Sequence, residues 1–120
     1  MNMASAGGVM PAPTVAGYGM SKAAVISLTR SLAQEVGARG IRVNAVAPGF
    51  TITPMTTRHI DDSDPAQVEQ LRDAAGKANP MRENVEPDDL AAAVLYLVAD
   101  ASKHVTGQVL HVNAGVLMTS

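Results

Sequence analysis

A tyrosine and a lysine stand four residues apart in the segment Tyr18-Gly19-Met20-Ser21-Lys22. On an α-helix this spacing places both side chains on one face, one turn apart. A free tyrosine has a pKa of about 10, so it is a poor base and a weak acid at neutral pH. A cation held beside a phenol stabilises the phenolate and lowers its pKa. The pair is therefore suited to carry a proton in general acid–base catalysis.

Ser5 and the turn Pro48-Gly49 are expected near this pair. Ser5 lies 13 residues before Tyr18, at the end of a short segment typical of a strand, and Pro48-Gly49 ends the next predicted strand. Ligands of open α/β sheets bind at the carboxyl ends of the strands. We therefore expect Ser5, Tyr18 and Lys22 to share one edge of the sheet with this turn.

The hydrophobic pattern predicts strands that alternate with helices. Apolar residues recur at i+4 spacing between Met20 and Val36, which is typical of a helix over residues 15–36. The other predicted elements are strands at 1–5, 41–47 and 108–112, helices at 65–75 and 87–99, and loops at 6–14, 51–64 and 76–86. This order indicates an α/β fold with a parallel sheet and right-handed crossovers.

Local patterns predict where two helices begin, and one pattern conflicts with the predicted parallel sheet. Asp64-Pro65-Ala66-Gln67 resembles a capping box, and Asp88 and Asp89 suit the first turn of a helix that begins at Pro87. The segment Ile41-Arg42-Val43-Asn44 alternates apolar with polar residues, whereas a parallel strand covered on both faces is almost continuously apolar.

Composition excludes several classes of protein. The chain has 120 residues, which suits one domain, and it has no cysteine, which excludes disulfides, thiolate metal sites and a cysteine nucleophile. The net charge of −2 gives no footprint for nucleic acid or an anionic membrane. The longest apolar run, residues 91–99, is far shorter than the roughly 20 residues that span a bilayer. The first basic residue is Lys22, so the basic region of a signal peptide is missing and we predict a cytoplasmic protein.

No metal site is expected from the histidines or the acidic run. His59, His104 and His111 are widely spaced, without a paired carboxylate at ligand spacing. The segment Asp61-Asp62-Ser63-Asp64 is not followed by the glycine and glutamate that an EF-hand loop needs at positions six and twelve.

These residues resemble the short-chain dehydrogenase/reductase family. The segment Tyr18–Lys22 is similar to the family's Tyr-x-x-x-Lys signature, and Asn2-Met3-Ala4-Ser5 to the strand that ends in its active-site serine. Residues 40–49 resemble the strand and Pro-Gly turn beside the nicotinamide, and Val105-Thr106-Gly107-Gln108 the approach to the last strand. The resemblance covers almost the whole chain.

The resemblance implies an oxidoreductase that uses NAD or NADP to interconvert a carbonyl and a secondary alcohol, with a small-molecule alcohol or ketone as substrate. Tyr18 would be the general acid/base, Lys22 would hold the ribose hydroxyls, and Ser5 would bind the substrate oxygen. The implied cofactor-binding residues are Tyr18, Lys22, Pro48, Gly49, Thr51 and Thr53. One helix face carries the small or polar side chains of Ala23, Ser27 and Gln34. In the family the equivalent helix packs against a partner subunit, which implies a homo-oligomer, and a solvent-facing side is the alternative.

The chain departs from the family pattern in three ways. Thr51 stands where the family usually has Ile or Val, and Asn113-Ala114 replaces the usual Asp-Gly. No Gly-x-x-x-Gly-x-Gly run follows a strand, and the catalytic asparagine and the residue that selects NAD or NADP have no counterpart. The resemblance therefore implies that residues 1–120 are the C-terminal portion of a single doubly wound, Rossmann-like domain without its dinucleotide-binding half.

Two alternatives remain open from the sequence. The missing glycine-rich turn is also compatible with an inactive remnant or an oligomerisation module that pairs with a complete relative. The same Tyr-Lys pair would also serve a related epimerase or dehydratase. If the family's strand order applies, the outer edge of the first strand lacks a partner, and the isolated chain would fold poorly or associate through that edge.

Overall fold

A three-stranded parallel sheet lies at the centre of the computed structural model, which describes residues 1–119. The strands are β1 (Asn2–Met3), β2 (Ala45–Pro48) and β3 (Val109–Val112), in the spatial order β1-β2-β3. The predicted α/β fold with a parallel sheet is confirmed, and the three strands are neighbours. The register pairs Met3 with Val46 and Pro48 with Val112, so the carboxyl ends of all three strands meet at one edge.

Within residues 1–119, four α-helices connect and cover the strands. They are α1 (Ala16–Val36), α2 (Pro54–Thr57), α3 (Pro65–Lys77) and α4 (Pro87–Val98). The three predicted helices begin within one residue of the expected position, whereas α2 falls in a segment predicted as a loop. Its start is fixed by Thr53, whose N–H donates to the Thr56 hydroxyl at 2.9 Å. Among residues 1–119, no helix combines the length and the hydropathy needed to cross a membrane.

The core lies between β2 and α1. Ala45 and Ala47 of β2 are fully buried and pack with Ala4 and with Ile26 of α1. Because side chains alternate along a strand, Val46 points to the opposite face, where α4 contacts the sheet. The small alanines let the helix approach the central strand closely, and burial of the Ile26 side chain contributes about 2 kcal/mol.

The predicted strand over residues 41–47 begins later, at Ala45. Before it, side-chain oxygens replace main-chain partners, since the N–H of Val43 donates to the Thr106 hydroxyl and that of Gln108 to the Asn44 side-chain oxygen, both at 3.0 Å. The guanidinium of Arg42 donates to the main-chain oxygen of Leu97 at 2.7 Å and to the hydroxyl of Ser102 at 3.0 Å. The amide of Asn44 donates to the Val105 oxygen at 2.8 Å. Arg42 thus binds the unpaired carbonyls at the C-terminal end of α4, which explains the alternating pattern.

The predicted capping box at α3 is only half correct. The Asp64 carboxylate accepts a hydrogen bond from the N–H of Ala66 at 2.9 Å, as an N-cap does. The Gln67 carbonyl, however, accepts from the N–H of Asp61 at 3.2 Å rather than from that of Asp64. The hydrogen bond from the Gln67 side chain, with that from Ala66, lowers the pKa of Asp64.

Candidate active site

Ser5 lies directly beyond β1, at the carboxyl edge of the sheet. Its hydroxyl oxygen accepts a hydrogen bond from the N–H of Gly7 at 3.1 Å and thereby caps the 3₁₀ turn Ala6–Gly8. Because Met3 pairs with Val46, Ser5 and Pro48 are each two residues further along neighbouring strands. Ser5 therefore stands level with the Pro48-Gly49 turn.

Tyr18 and Lys22 lie on successive turns at the start of α1. The Lys22 ammonium is 5.7 Å from the centroid of the Tyr18 ring. It also donates a hydrogen bond to the main-chain oxygen of Met3 at 3.0 Å, which ties the helix to the end of β1. The Tyr18 side chain is 41% exposed, so an incoming molecule can reach it. The i+4 spacing thus brings the cation beside the phenol, as the pattern predicts.

Gly7 marks the point where the serine and the tyrosine meet. A Cβ built on Gly7 would lie 3.6 Å from the Ser5 hydroxyl oxygen and 3.5 Å from Cε1 of Tyr18. The hydroxyl and the ring therefore flank the same small space. The Tyr18 ring thus has the Ser5 hydroxyl near one edge, and the Lys22 ammonium lies 5.7 Å from its centre.

The other expected cofactor-binding residues follow β2. Pro48 is the last residue of that strand, and the N–H of Gly49 donates to the Val112 oxygen at 2.9 Å. Thr51 is buried, and its hydroxyl donates to the Gly49 oxygen at 3.4 Å. Thr53 begins α2. The strand register sets Pro48 and Gly49 beside Ser5, while Thr51 and Thr53 lie in the segment that leads away from this edge.

Asn113 holds the chain that leaves β3, at the position where the family usually has aspartate. The side chain is buried, and its amide nitrogen donates to the Leu117 oxygen at 3.0 Å. Its carbonyl oxygen accepts from the N–H of Gly115 at 2.9 Å. An aspartate would lack the donor to Leu117. This departure therefore fixes the path of residues 113–117 beside the Pro48-Gly49 turn.

Two glycines near the catalytic candidates are not predicted by any sequence pattern. A Cβ on Gly8 would lie 2.7 Å from the carbonyl carbon of Lys22, and one on Gly19 would lie 2.9 Å from the main-chain oxygen of Gly7. Glycines beside prolines indicate only a loop, and a single glycine in a helix indicates only lower helix propensity. The close contact of the two segments is visible only in three dimensions.

The chain matches known proteins along almost its entire length. Residues 1–117 match the model of a family described as enoyl-(acyl carrier protein) reductase. The chain belongs to the short-chain dehydrogenase/reductase family, and its sheet is part of a Rossmann-like fold. A curated relative, 3-oxoacyl-(acyl-carrier-protein) reductase FabG of Staphylococcus epidermidis, is 41% identical over 118 residues, which cover 98% of this chain and 45% of that protein.

Solved structures of related proteins superpose on almost the whole chain. A short-chain dehydrogenase/reductase described as glucose/ribitol dehydrogenase, from Brucella melitensis, superposes with a TM-score of 0.83 at 31% identity and covers 98% of this chain and 44% of its own. A variant of actinorhodin polyketide ketoreductase with NADPH superposes with a TM-score of 0.82 at 35% identity, covering 96% and 45%. The chain therefore spans less than half the length of the relatives it matches.

Proposed function

We propose that the whole protein to which this chain contributes is an NAD(P)-dependent oxidoreductase that interconverts a carbonyl and a secondary alcohol. The observation that carries the proposal is the meeting of the Ser5 hydroxyl, the Tyr18 ring and the Lys22 ammonium at the carboxyl edge of the sheet. Membership of a family whose matched relatives are named as reductases supports the same chemistry. On this reading, residues 1–120 are the C-terminal portion of one Rossmann-like domain.

The donors at this edge fit a nicotinamide dinucleotide. The Lys22 ammonium carries three N–H donors, and one of them is used by the Met3 oxygen. The remaining two can bind the ribose hydroxyls, with the Tyr18 hydroxyl close by. Pro48, Gly49, Thr51 and Thr53 would border the nicotinamide. NAD or NADP, when bound, supplies or removes the hydride at the reacting carbon.

The three side chains have separate tasks at the substrate oxygen. As a carbonyl carbon is reduced, negative charge develops on its oxygen, and Tyr18 donates the proton that completes the alcohol. Because the Ser5 oxygen accepts its own bond from Gly7, the Ser5 proton remains available to donate to the same substrate oxygen. The Lys22 cation stabilises the phenolate that Tyr18 becomes. In alcohol oxidation the phenolate takes the proton back.

The test compares the two tyrosines of the chain. In the full-length protein, or in a hybrid in which the N-terminal half of the S. epidermidis reductase precedes this chain, we expect Tyr18→Phe to lower ketone reduction by about 10²- to 10⁴-fold. NADPH binding should persist in this variant. Tyr96→Phe, at a similarly exposed tyrosine of α4, is the matched control and should retain full activity. Near-normal activity of Tyr18→Phe would remove Tyr18 from the mechanism.

We infer further that the substrate carries its carbonyl on an acyl chain. The description of the matched family names an enoyl group as the substrate, whereas the name of the matched curated relative gives a 3-oxoacyl group. The Ser5 hydroxyl and the Tyr18 phenol are both O–H donors, which suit a carbonyl oxygen with its two lone pairs better than a carbon–carbon double bond. A 3-oxoacyl thioester should be reduced and a 2-enoyl thioester should not. Reduction of the enoyl thioester alone would contradict this inference.

We also propose that the whole protein is a cytoplasmic homo-oligomer. The chain has no cysteine, which suits a reducing compartment. Large apolar side chains are exposed on the helices, among them Leu28 of α1 and Leu95 of α4, which are 51% and 67% exposed. Such residues are typical of surfaces that other protein covers. Light scattering of the full-length protein should give a mass of two or more protomers, and a monomer would contradict the proposal.

A further inference from the structure

We propose that Gly8 and Gly19 are positioning residues that set the spacing between Ser5 and the Tyr18–Lys22 pair. The expected effect of these glycines on kcat rests on the proposed function, whereas their effect on the spacing rests on the structure alone. The 3₁₀ turn that Ser5 caps lies directly against the first turns of α1, and each glycine removes the side chain that would hold these segments apart.

Gly8 lies on the backbone of the helical turn that carries Lys22. A Cβ at Gly8 would be 2.7 Å from the Lys22 carbonyl carbon and 2.8 Å from the Ala23 nitrogen. Both distances are shorter than real Cβ atoms show, and both neighbours are main-chain atoms of a helix. A main chain fixed by helical hydrogen bonds cannot turn aside as the end of a flexible side chain can. Alanine at position 8 therefore forces the turn away from the helix.

Gly19 lies on α1 and faces the same 3₁₀ turn. It is buried, and a Cβ there would lie 2.9 Å from the Gly7 oxygen and 3.3 Å from the Cβ of Ala12. Gly7 is also the residue whose N–H binds the Ser5 hydroxyl oxygen. A shift of Gly7 would therefore be transmitted to Ser5 through that hydrogen bond.

The requirement for glycine at these two positions is steric rather than conformational. Positive φ angles among the described glycines occur at Gly40, Gly107 and Gly115, and not at Gly8 or Gly19. Alanine can adopt the backbone conformation at both sites and raises helix propensity at Gly19, so the adverse effect of substitution is the steric clash. Gly17, next to Tyr18 on the same helix, supplies the control because a Cβ there meets nothing within 4 Å.

The first measurement needs no activity. In the full-length protein, NMR should show a nuclear Overhauser effect between the Gly7 Hα protons and the Tyr18 ring, which are close enough for a Gly7 Cβ to touch Cε1. We expect Gly8→Ala and Gly19→Ala to lose this effect while they keep the helical circular dichroism signal. Gly17→Ala should retain both. An unchanged effect in both folded variants would overturn the proposal.

The second measurement is kinetic and uses the full-length protein. Displacing Ser5 from Tyr18 impairs stabilisation of the transition state more than substrate binding, so kcat should fall about 10- to 100-fold while KM changes less than about twofold. Gly17→Ala should leave both constants unchanged. A general loss of folded protein would instead lower the active fraction, which active-site titration with the cofactor detects.

The outcomes separate this inference from the proposed function. An inactive Tyr18→Phe variant with fully active Gly8→Ala and Gly19→Ala variants refutes positioning and leaves the reaction intact. An active Tyr18→Phe variant refutes the reaction, while the nuclear Overhauser measurement still decides the spacing. If both alanine variants lose the helical signal and Gly17→Ala keeps it, the glycines serve folding itself and the positioning role is overturned.

Discussion

The ammonium of Lys22 lies 5.7 Å from the centre of the Tyr18 ring while it donates a 3.0 Å hydrogen bond to the main chain at the end of β1. One side chain therefore does two things: it sets a positive charge beside the phenol, and it anchors α1 to the strand that leads to Ser5. These two effects can be separated by substitution.

Replacing Lys22 tests both effects. Lys22→Met removes the cation and the hydrogen bond, so we expect carbonyl reduction by the full-length protein to fall about 100-fold or more, with unfolding free energy lower by about 1 kcal/mol. Lys22→Arg keeps the positive charge but replaces the ammonium with a larger, planar guanidinium. Its activity should therefore lie between that of the parent protein and that of Lys22→Met. The exposed Lys103 gives the control, because Lys103→Met should match the parent protein. Initial rates and chemical denaturation measure both quantities, and equal loss in Lys103→Met would refute the assignment.

Gly7→Ala should alter substrate choice without disturbing the fold. A methyl group at this position would touch the Ser5 hydroxyl oxygen and the Tyr18 ring at 3.6 and 3.5 Å, which are ordinary contact distances. On the proposed function, it would occupy space that the substrate oxygen and its substituents need. We expect kcat/KM to fall about tenfold or more for ketones with two bulky substituents and less for small ketones. The melting temperature should stay near that of the parent protein, and an equal loss for all ketones would argue against a specificity role.

The parts of this fold that depend on local pattern are visible in the sequence. The i+4 apolar stripe predicts α1 to within one residue, and Pro87 with its acidic first turn predicts the start of α4. The Tyr18–Lys22 spacing likewise predicts the side chains that meet. Such features involve residues at most one helical turn apart.

Features that depend on distant partners could not be predicted. Arg42 contacts Leu97 across 55 residues of chain, and the alternating pattern of residues 41–44 does not reveal this partner. The contact of Gly8 with Lys22 is of the same kind. A periodic pattern reports which face of an element is apolar, but it does not report which carbonyl a polar side chain reaches or which backbone approaches a glycine.

His111 should make the stability of the chain depend on pH. It lies in β3 opposite Ala47, and its Nδ1 is buried without a hydrogen-bond partner among the described residues. Burial, with a smaller effect from the Arg30 cation, lowers the pKa of His111 below 6.5. The unfolded chain therefore binds a proton more readily than the folded chain, so stability is greatest above pH 6.5 and decreases as the pH falls below it.

The measurement is the melting temperature of the full-length protein between pH 7.5 and pH 5. We expect His111→Gln to show a smaller decrease over this interval than the parent chain, because the glutamine does not titrate. His104→Gln, at an exposed histidine in the segment before β3, serves as the control and should keep the parent's pH dependence. If the melting temperature of His111→Gln falls as much as that of the parent, other titrating groups cause the pH dependence.

Ala114 and Gly115 should respond to substitution in opposite directions. Both have positive φ, 50° at Ala114 and 87° at Gly115, although only glycine adopts this region without strain. Ala114→Gly relieves that strain and should raise the unfolding free energy by about 0.5–1 kcal/mol. Gly115→Ala introduces strain and sets a Cβ 3.1 Å from Cγ of Pro80, so it should lower stability by more than about 1 kcal/mol.

Urea denaturation of the two variants shows whether residues 113–117 are held in the strained conformation or move freely in the folded protein. Each change also alters the unfolded chain, which glycine makes more flexible and alanine less flexible, and this effect opposes the folded-state effect in both variants. The folded contacts of Asn113 with Leu117 and Gly115 hold both residues in place and prevent the backbone from escaping the strain. Identical denaturation midpoints for the two variants would show that residues 113–117 move freely, and the Asn113 hydrogen bonds would then contribute nothing to the carboxyl edge of the sheet.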